Sequence, residues 1–110
     1  MNIHITNGRV VDPASGTDKK ADIAIADGKI AGIGGSIPAG FKAGRTIDAT
    51  GCIVTPGLVD LAARLREPGY EHEGMLESEM AAAIAGGVTS LVCPPDTDPV
   101  LDEPGLVEML

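Results

Sequence analysis

The sequence contains no tryptophan, and Phe41 and Tyr70 are its single phenylalanine and tyrosine. A core built around large aromatic side chains is therefore excluded. Hydrophobic residues still make up 44% of the chain, so aliphatic side chains must form any core. With 110 residues, the chain has room for one domain or for part of a larger protein. A multidomain enzyme contained within this chain is excluded.

Positive charge is scarce in the second half of the chain. Residues 1–59 carry six Lys or Arg and five Asp or Glu, whereas residues 60–110 carry two and eleven, and neither of the two is a lysine. Such an acidic segment offers no basic patch for a phosphate backbone or an anionic membrane surface. We therefore expect neither nucleic acid nor membrane among the partners.

Long apolar runs and paired cysteines are also missing. The longest mostly small or apolar stretch, residues 80–88, is far shorter than the roughly 20 residues of a spanning helix, and no targeting segment is recognisable. Cys52 and Cys93 lie in apolar segments without a CxxC spacing, which predicts buried free thiols rather than a disulfide or a metal site. Together these absences predict a cytoplasmic protein.

Residues 1–56 predict short strands joined by turns, as in a β-sandwich segment. Asn7-Gly8 and Asp27-Gly28 each suit a tight hairpin, because these residue types tolerate positive φ. Residues 17–20 are polar enough to predict a surface loop. Strands at 46–48 and 52–55 would complete a small antiparallel sheet or half of a sandwich.

Residues 57–110 show a different pattern, which begins after Pro56. A compact apolar run at 58–65 predicts a buried strand, 75–85 has helical spacing that Gly86-Gly87 ends, and 88–93 predicts a second buried strand. Strand, helix and strand within about forty residues are typical of a β-α-β unit in an α/β barrel. One such unit and the helix starting near Pro104 cannot close a parallel sheet. We therefore expect the N-terminal fragment of a longer chain.

The first of these strands carries the polar residues. Alternation along an extended strand places Asp60, Ala62, Arg64 and Arg66 on one face. They occupy the carboxyl-terminal half of the strand, which is the end where α/β barrels assemble their active sites. This row is therefore the candidate site.

Four motifs make a resemblance specific: Thr-Pro-Gly-Leu-Val-Asp at 55–60, Leu-Arg-Glu-Pro-Gly at 65–69, Ala-Gly-Gly-Val-Thr at 85–89 and Pro-Asp-Thr-Asp-Pro at 95–99. Together they resemble the N-terminal region of dihydroorotases, which belong to the amidohydrolase superfamily. The resemblance implies a TIM-type, metal-dependent hydrolase-like barrel starting at residue 57. It also implies that residues 1–56 form part of a urease-like composite β-sandwich domain.

Members of this family bind zinc through two histidines in an Asp-x-His-x-His-x-Arg pattern on the first strand. Here the two histidine positions hold Ala62, which has no lone pair, and Arg64, whose guanidinium stays protonated and cannot ligate. We therefore expect no zinc at this site, no other cofactor and no catalytic residue.

The substrate-binding positions of the family are also altered. The resemblance assigns the substrate carboxylate to Arg66 and to an asparagine whose place is taken by Asp96, an anion that would repel it. Arg66 and Asp96 are thus a vestigial substrate site. Arg64 either forms an ion pair with Asp96 that replaces the metal, or reaches solvent. His4, on the first strand, and His72, in the Glu-rich loop, are expected to be exposed and not catalytic.

The resemblance implies a dihydroorotase-like protein without catalytic activity. Some bacteria carry such a chain in complex with aspartate transcarbamoylase catalytic chains, where it has a structural role in pyrimidine biosynthesis, and we expect the same here together with homo-oligomerisation. Two alternatives stay open. One is an active dihydroorotase or related cyclic-amide hydrolase with metal ligands further along a longer chain, and the other is a free-standing binding module.

Overall fold

The computed structural model describes all 110 residues, which divide into two compact units, Met1–Pro56 and Gly57–Leu110. The first unit is all-β, and the second contains one β-α-β unit followed by a short helix. The predicted order of an all-β segment and a β-α-β unit is therefore confirmed.

The first unit is a single mixed sheet of five strands: β1 Ile3–Asp12, β2 Thr17–Ala26, β3 Lys29–Ile33, β4 Arg45–Asp48 and β5 Ile53–Val54. β1 lies in the middle, with β2 and then β3 on one side and both β4 and β5 on the other. The Asp27-Gly28 turn joins β2 to β3 as predicted, because both residues adopt positive φ, at 52° and 70°.

The prediction of a hairpin at Asn7-Gly8 is wrong, because both residues lie within the continuous strand β1. Asn7 does adopt positive φ, at 62°, but it forms a β-bulge: the register with β2 shifts between Ile5 and Gly8. The Asn7 N–H turns to the side chain of Asp22 and donates to its Oδ1 at 3.0 Å. The reversal takes place later, at residues 13–16, so that the predicted loop at 17–20 is the start of β2.

The expectation of an antiparallel sheet is also only partly right. β2 runs antiparallel to β1 and β3, whereas β4 and β5 pair with β1 in parallel. β3 runs in the same direction as β1 and therefore ends at the same end of the sheet as β1. β4 also runs in that direction and must begin at the opposite end, so the chain has to return there between β3 and β4. The residues between Ile33 and Arg45, which include the short 3-10 helix Gly34–Ser36, are long enough for that return.

The core of the first unit is small and aliphatic. Its buried hydrophobic residues are Val10, Ile23, Ala24 and Ala49. Gly8 is buried beside them in a space too small for a side chain. A Cβ at this position would lie 2.5 Å from Val54 Cγ2 and 3.2 Å from Ala49 Cβ. At the bulge, β1 therefore lies close to Val54 of β5 and to Ala49 in the β4–β5 connection.

The second unit contains β6 Leu58–Asp60, α1 Leu76–Ala85, β7 Val88–Leu91 and α2 Pro104–Glu108. β6 and β7 pair in parallel with α1 between them in sequence, as predicted. Gly87 follows α1 with φ at 85°, and Pro104 occupies the start of α2, so the predicted end and start signals are confirmed. Neither helix is long and apolar enough to cross a membrane.

Three expectations about the apolar segments are wrong. The strand predicted at 58–65 ends at Asp60, and no residue of the unit is buried, so that Leu58 and Val59 are 58% and 60% exposed. Cys52 of the first unit and Cys93 of the second are free but exposed rather than buried. The exposure of the strand and of the cysteines has one cause: within each unit these apolar segments lie on surfaces that no other element of that unit covers.

Candidate functional site

The ends of the two parallel strands bring two loops together. After β6, the Asp60 carbonyl accepts the Val92 N–H at 2.8 Å, and the Val92 carbonyl accepts the Ala63 N–H at 3.0 Å. Oδ1 of Asp60 also accepts the Ala62 N–H at 3.0 Å, which turns the chain out of the strand. Because carboxyl ends of parallel strands share one edge, the loop after β6 faces the loop after β7.

Arg64 and Asp96 meet across these loops. Nε of Arg64 donates to Oδ2 of Asp96 at 2.6 Å, and both side chains are about half exposed. This hydrogen bond is the main reason why the pKa of Asp96 lies below its usual value, and the charge of nearby Arg66 adds to the lowering. The predicted ion pair is therefore present, and it leaves the guanidinium in partial contact with solvent.

Arg66 is held by a carboxylate that the sequence analysis did not identify. Its Nε lies 3.2 Å from Oε2 of Glu73. Arg66 adopts positive φ, at 68°, and its carbonyl accepts the Tyr70 N–H at 2.9 Å, while the Tyr70 carbonyl accepts the Glu73 N–H at 2.8 Å. Two consecutive turns thus return the chain to Arg66. The sequence signal for this pairing is the turn-forming Pro68-Gly69, which is followed by acidic residues that a turn can bring back to Arg66.

The other acids of this loop have local structural roles. Oε2 of Glu67 accepts the Leu76 N–H at 2.5 Å and so places a carboxylate at the N-terminus of α1. Oε1 of Glu71 accepts the Gly69 N–H at 3.1 Å, and this backbone hydrogen bond lowers the pKa of Glu71.

The two histidines lie in different units and have different surroundings. His72 is 74% exposed and lies 3.9 Å from Oε1 of Glu73, which agrees with the expected surface position. His4, in the first unit, is not on an open face as expected. Its Nε2 is buried 3.5 Å from Oδ2 of Asp22, and its ring packs edge-on against Phe41.

The donor set at the strand ends does not fit a zinc ion. Ala62 offers no ligand atom, and Arg64 places a fixed positive charge on the loop, where it already donates to Asp96. Asp60 uses one carboxylate oxygen to accept the Ala62 N–H. No group of three or more His, Cys, Asp or Glu side chains is arranged to hold a metal ion.

Comparison with known proteins identifies the relatives of this chain. No protein-family model matches it. It is 54% identical over 110 residues to a "Dihydroorotase-like protein" of Pseudomonas aeruginosa, an alignment that covers 100% of this chain and 26% of that protein. It is 51% identical over 102 residues to a dihydroorotase of Solibacter usitatus, covering 93% of this chain and 23% of that protein. The chain belongs to the dihydroorotase family. It spans about a quarter of the length of these relatives.

Solved structures agree with this family. The chain superimposes on the L-hydantoinase (dihydropyrimidinase) of Arthrobacter aurescens with a TM-score of 0.76 and 33% sequence identity, over 89% of this chain and 21% of that chain. The family resemblance inferred from the four motifs is thereby confirmed, and with it the assignment to the amidohydrolase superfamily.

Proposed function

We propose that this dihydroorotase-family chain is part of a catalytically inactive protein with a structural role. The observation that carries the proposal is the Arg64–Asp96 ion pair, with 2.6 Å between Nε and Oδ2. It stands at the strand ends where the family resemblance implies zinc, and it joins the two loops through their own side chains.

The charges around the pair support the loss of hydrolysis. The resemblance assigns Arg66 to the substrate carboxylate, but here Arg66 is paired with Glu73 at 3.2 Å. Asp96 stands where a neutral asparagine would donate to that carboxylate, and its lowered pKa keeps it anionic. A carboxylate substrate would therefore meet an anion at Asp96 and a neutralised arginine at Arg66.

The proposed partners are aspartate transcarbamoylase catalytic chains, in a cytoplasmic complex of pyrimidine biosynthesis that also contains further copies of this protein. This choice rests on the family resemblance alone.

An active cyclic-amide hydrolase is the second candidate function, because a relative that is 51% identical is named dihydroorotase. In that case zinc would be held by residues outside positions 60–66. A free-standing binding module is the third candidate, and it requires the 110 residues to fold alone as a monomer.

Zinc content and dihydroorotate turnover of the full-length protein test the proposal directly. We expect both to be at background when the protein is purified with zinc in the medium. Turnover within about tenfold of an active dihydroorotase would establish the hydrolase instead, since catalysis normally exceeds the uncatalysed rate by many orders of magnitude.

Co-purification tests the partner. Tagged aspartate transcarbamoylase catalytic chains should retain the full-length protein through size-exclusion chromatography, and an unrelated cytoplasmic enzyme with the same tag should not. If the two proteins elute separately at micromolar concentration, the structural role in that complex is wrong, whatever the activity assay shows.

A further inference from the structure

The loops after β6 and β7 touch at a second point, away from the Arg64–Asp96 ion pair. The Asp98 N–H donates to the Pro68 carbonyl at 3.1 Å. Gly69, the next residue along, lies directly against Asp98. The contact therefore joins backbone to backbone.

Only glycine fits at position 69. Its φ is +101°, a conformation that side chains disfavour. A Cβ there would overlap the Asp98 carbonyl oxygen, and would lie 2.7 Å from Asp98 Cβ and 2.9 Å from its backbone nitrogen. Two of these three neighbours are backbone atoms, so no side-chain rotation relieves the overlap.

Asp98 is two residues from Asp96 in the loop after β7. The hydroxyl of Thr97, between them, donates to the Pro99 carbonyl at 3.0 Å. Prolines at 94, 95 and 99 fix several of the backbone φ angles in this loop. Restoring ordinary contact distances around a new Cβ would need a shift of roughly 1 Å, which is enough to break a hydrogen bond of 2.6 Å.

We propose that Gly69 is a positioning residue for the Arg64–Asp96 ion pair: its missing side chain lets the two loops dock through their backbones, and this docking delivers Asp96 to Arg64. The inference goes beyond the proposed function and does not depend on it, because it concerns the geometry of the loops and not the presence or absence of turnover.

The test is Gly69→Ala in the full-length protein, with the pH titration of the Asp96 carboxyl followed by NMR. We expect the pKa of Asp96 to rise towards its usual value, because the hydrogen bond from Arg64 is lost. Amide exchange at Asp98 should also rise, by about tenfold, because the backbone docking opens. A purely local role of Gly69 would leave the Asp96 titration unchanged, and that result overturns the proposal.

Gly74→Ala is the matched control in the same loop. A Cβ at Gly74 would meet only the flexible side chain of Glu79, with 2.8 Å to its Oε1, and this side chain can move away. The Asp96 titration should therefore match that of the unmodified protein. An equal rise of the Asp96 pKa in both variants would mean that any alanine in the loop suffices, which contradicts a specific role of Gly69.

Asp96→Ala removes the ion pair with Arg64 but leaves the backbone contact between Asp98 and Pro68. Because the replaced side chain is exposed, this variant also tests the proposal if Gly69→Ala does not fold. We expect the Asp98 amide to exchange in this variant at the same rate as in the unmodified protein, because docking does not depend on the ion pair. If that amide loses its protection, the ion pair holds the loop and the proposed order of cause and effect is reversed.

Discussion

Arg64 and Asp96 are separated by 32 positions in the sequence, yet Nε of the arginine lies 2.6 Å from Oδ2 of the aspartate. The parallel pairing of β6 and β7 causes this proximity, because it sets the two following loops at the same edge. The same edge is where the family resemblance implies zinc. A charge pair between side chains thus connects the two loops, and this connection can be tested by removing either charge.

Removing the arginine should change the acid stability of the fold. The pKa of Asp96 is lowered in the folded protein, so the pair stabilises the fold above the ordinary aspartate pKa near 3.8, and this is lost as the pH falls through the lower folded-state pKa. Arg64→Gln should therefore weaken the pH dependence of the free energy of unfolding below about pH 4. Urea unfolding at a series of pH values measures this.

Arg9→Gln is the comparison when the titrations of the two carboxyls are followed by NMR, because the loss of either pair would change the urea series. It breaks another exposed pair, in which Arg9 Nε lies 2.7 Å from Oδ1 of Asp18 and lowers the pKa of that aspartate. The titration of Asp18 should change while that of Asp96 does not. A shift of the Asp96 titration in Arg9→Gln would show that the effect comes from net charge rather than from the specific pair.

Restoring the family pattern should restore metal affinity. In the full-length double variant Ala62→His and Arg64→His, two imidazoles replace a methyl group and a fixed positive charge. We expect bound zinc, measured by elemental analysis after dialysis, to rise at least about tenfold over the unmodified protein, a typical effect of changes at metal sites.

The single variant Ala62→His is the comparison for the double variant. Zinc should stay at background there, because the guanidinium of Arg64 remains beside Asp96. If the single variant binds as much zinc as the double variant, Arg64 does not obstruct the site.

Enlarging Gly8 should destabilise the first unit. Gly8→Ala puts a Cβ 2.5 Å from Val54 Cγ2 inside a packed core, and overpacking of this kind costs about 1–3 kcal/mol of unfolding free energy. Gly35→Ala is the matched control, because nothing lies within 4 Å of its added Cβ. Denaturant unfolding should separate the two variants clearly, and equal stabilities would argue against the close approach of β5 to the bulge.

Glu67 should stabilise the start of α1. Its Oε2 accepts the Leu76 N–H at 2.5 Å, and no side chain of Met75 caps the helix. Glu67→Ala should cost about 1 kcal/mol and increase amide exchange in the first helical turn. Glu71→Ala removes a nearby carboxylate that accepts the Gly69 N–H instead, so exchange at Leu76 should not change.

The sequence by itself determined the features that depend on neighbouring residues. Asp27-Gly28 forms a tight turn, Gly86-Gly87 ends α1 and Pro104 starts α2, because the allowed backbone angles of these residues restrict the local conformation. The unsuitability of Ala62 and Arg64 as zinc ligands also follows from residue type alone.

The tertiary structure decided what depends on partners distant in sequence. Asn7 has the positive φ that its type allows, but pairing with β2 made it a bulge rather than a turn. Cys93 and the residues of β6 are exposed although the sequence predicts their burial, because an apolar segment does not show which element covers it. The close approach of Gly69 to Asp98 carries no local signal either, because it arises only when the parallel strands bring the two loops to one edge.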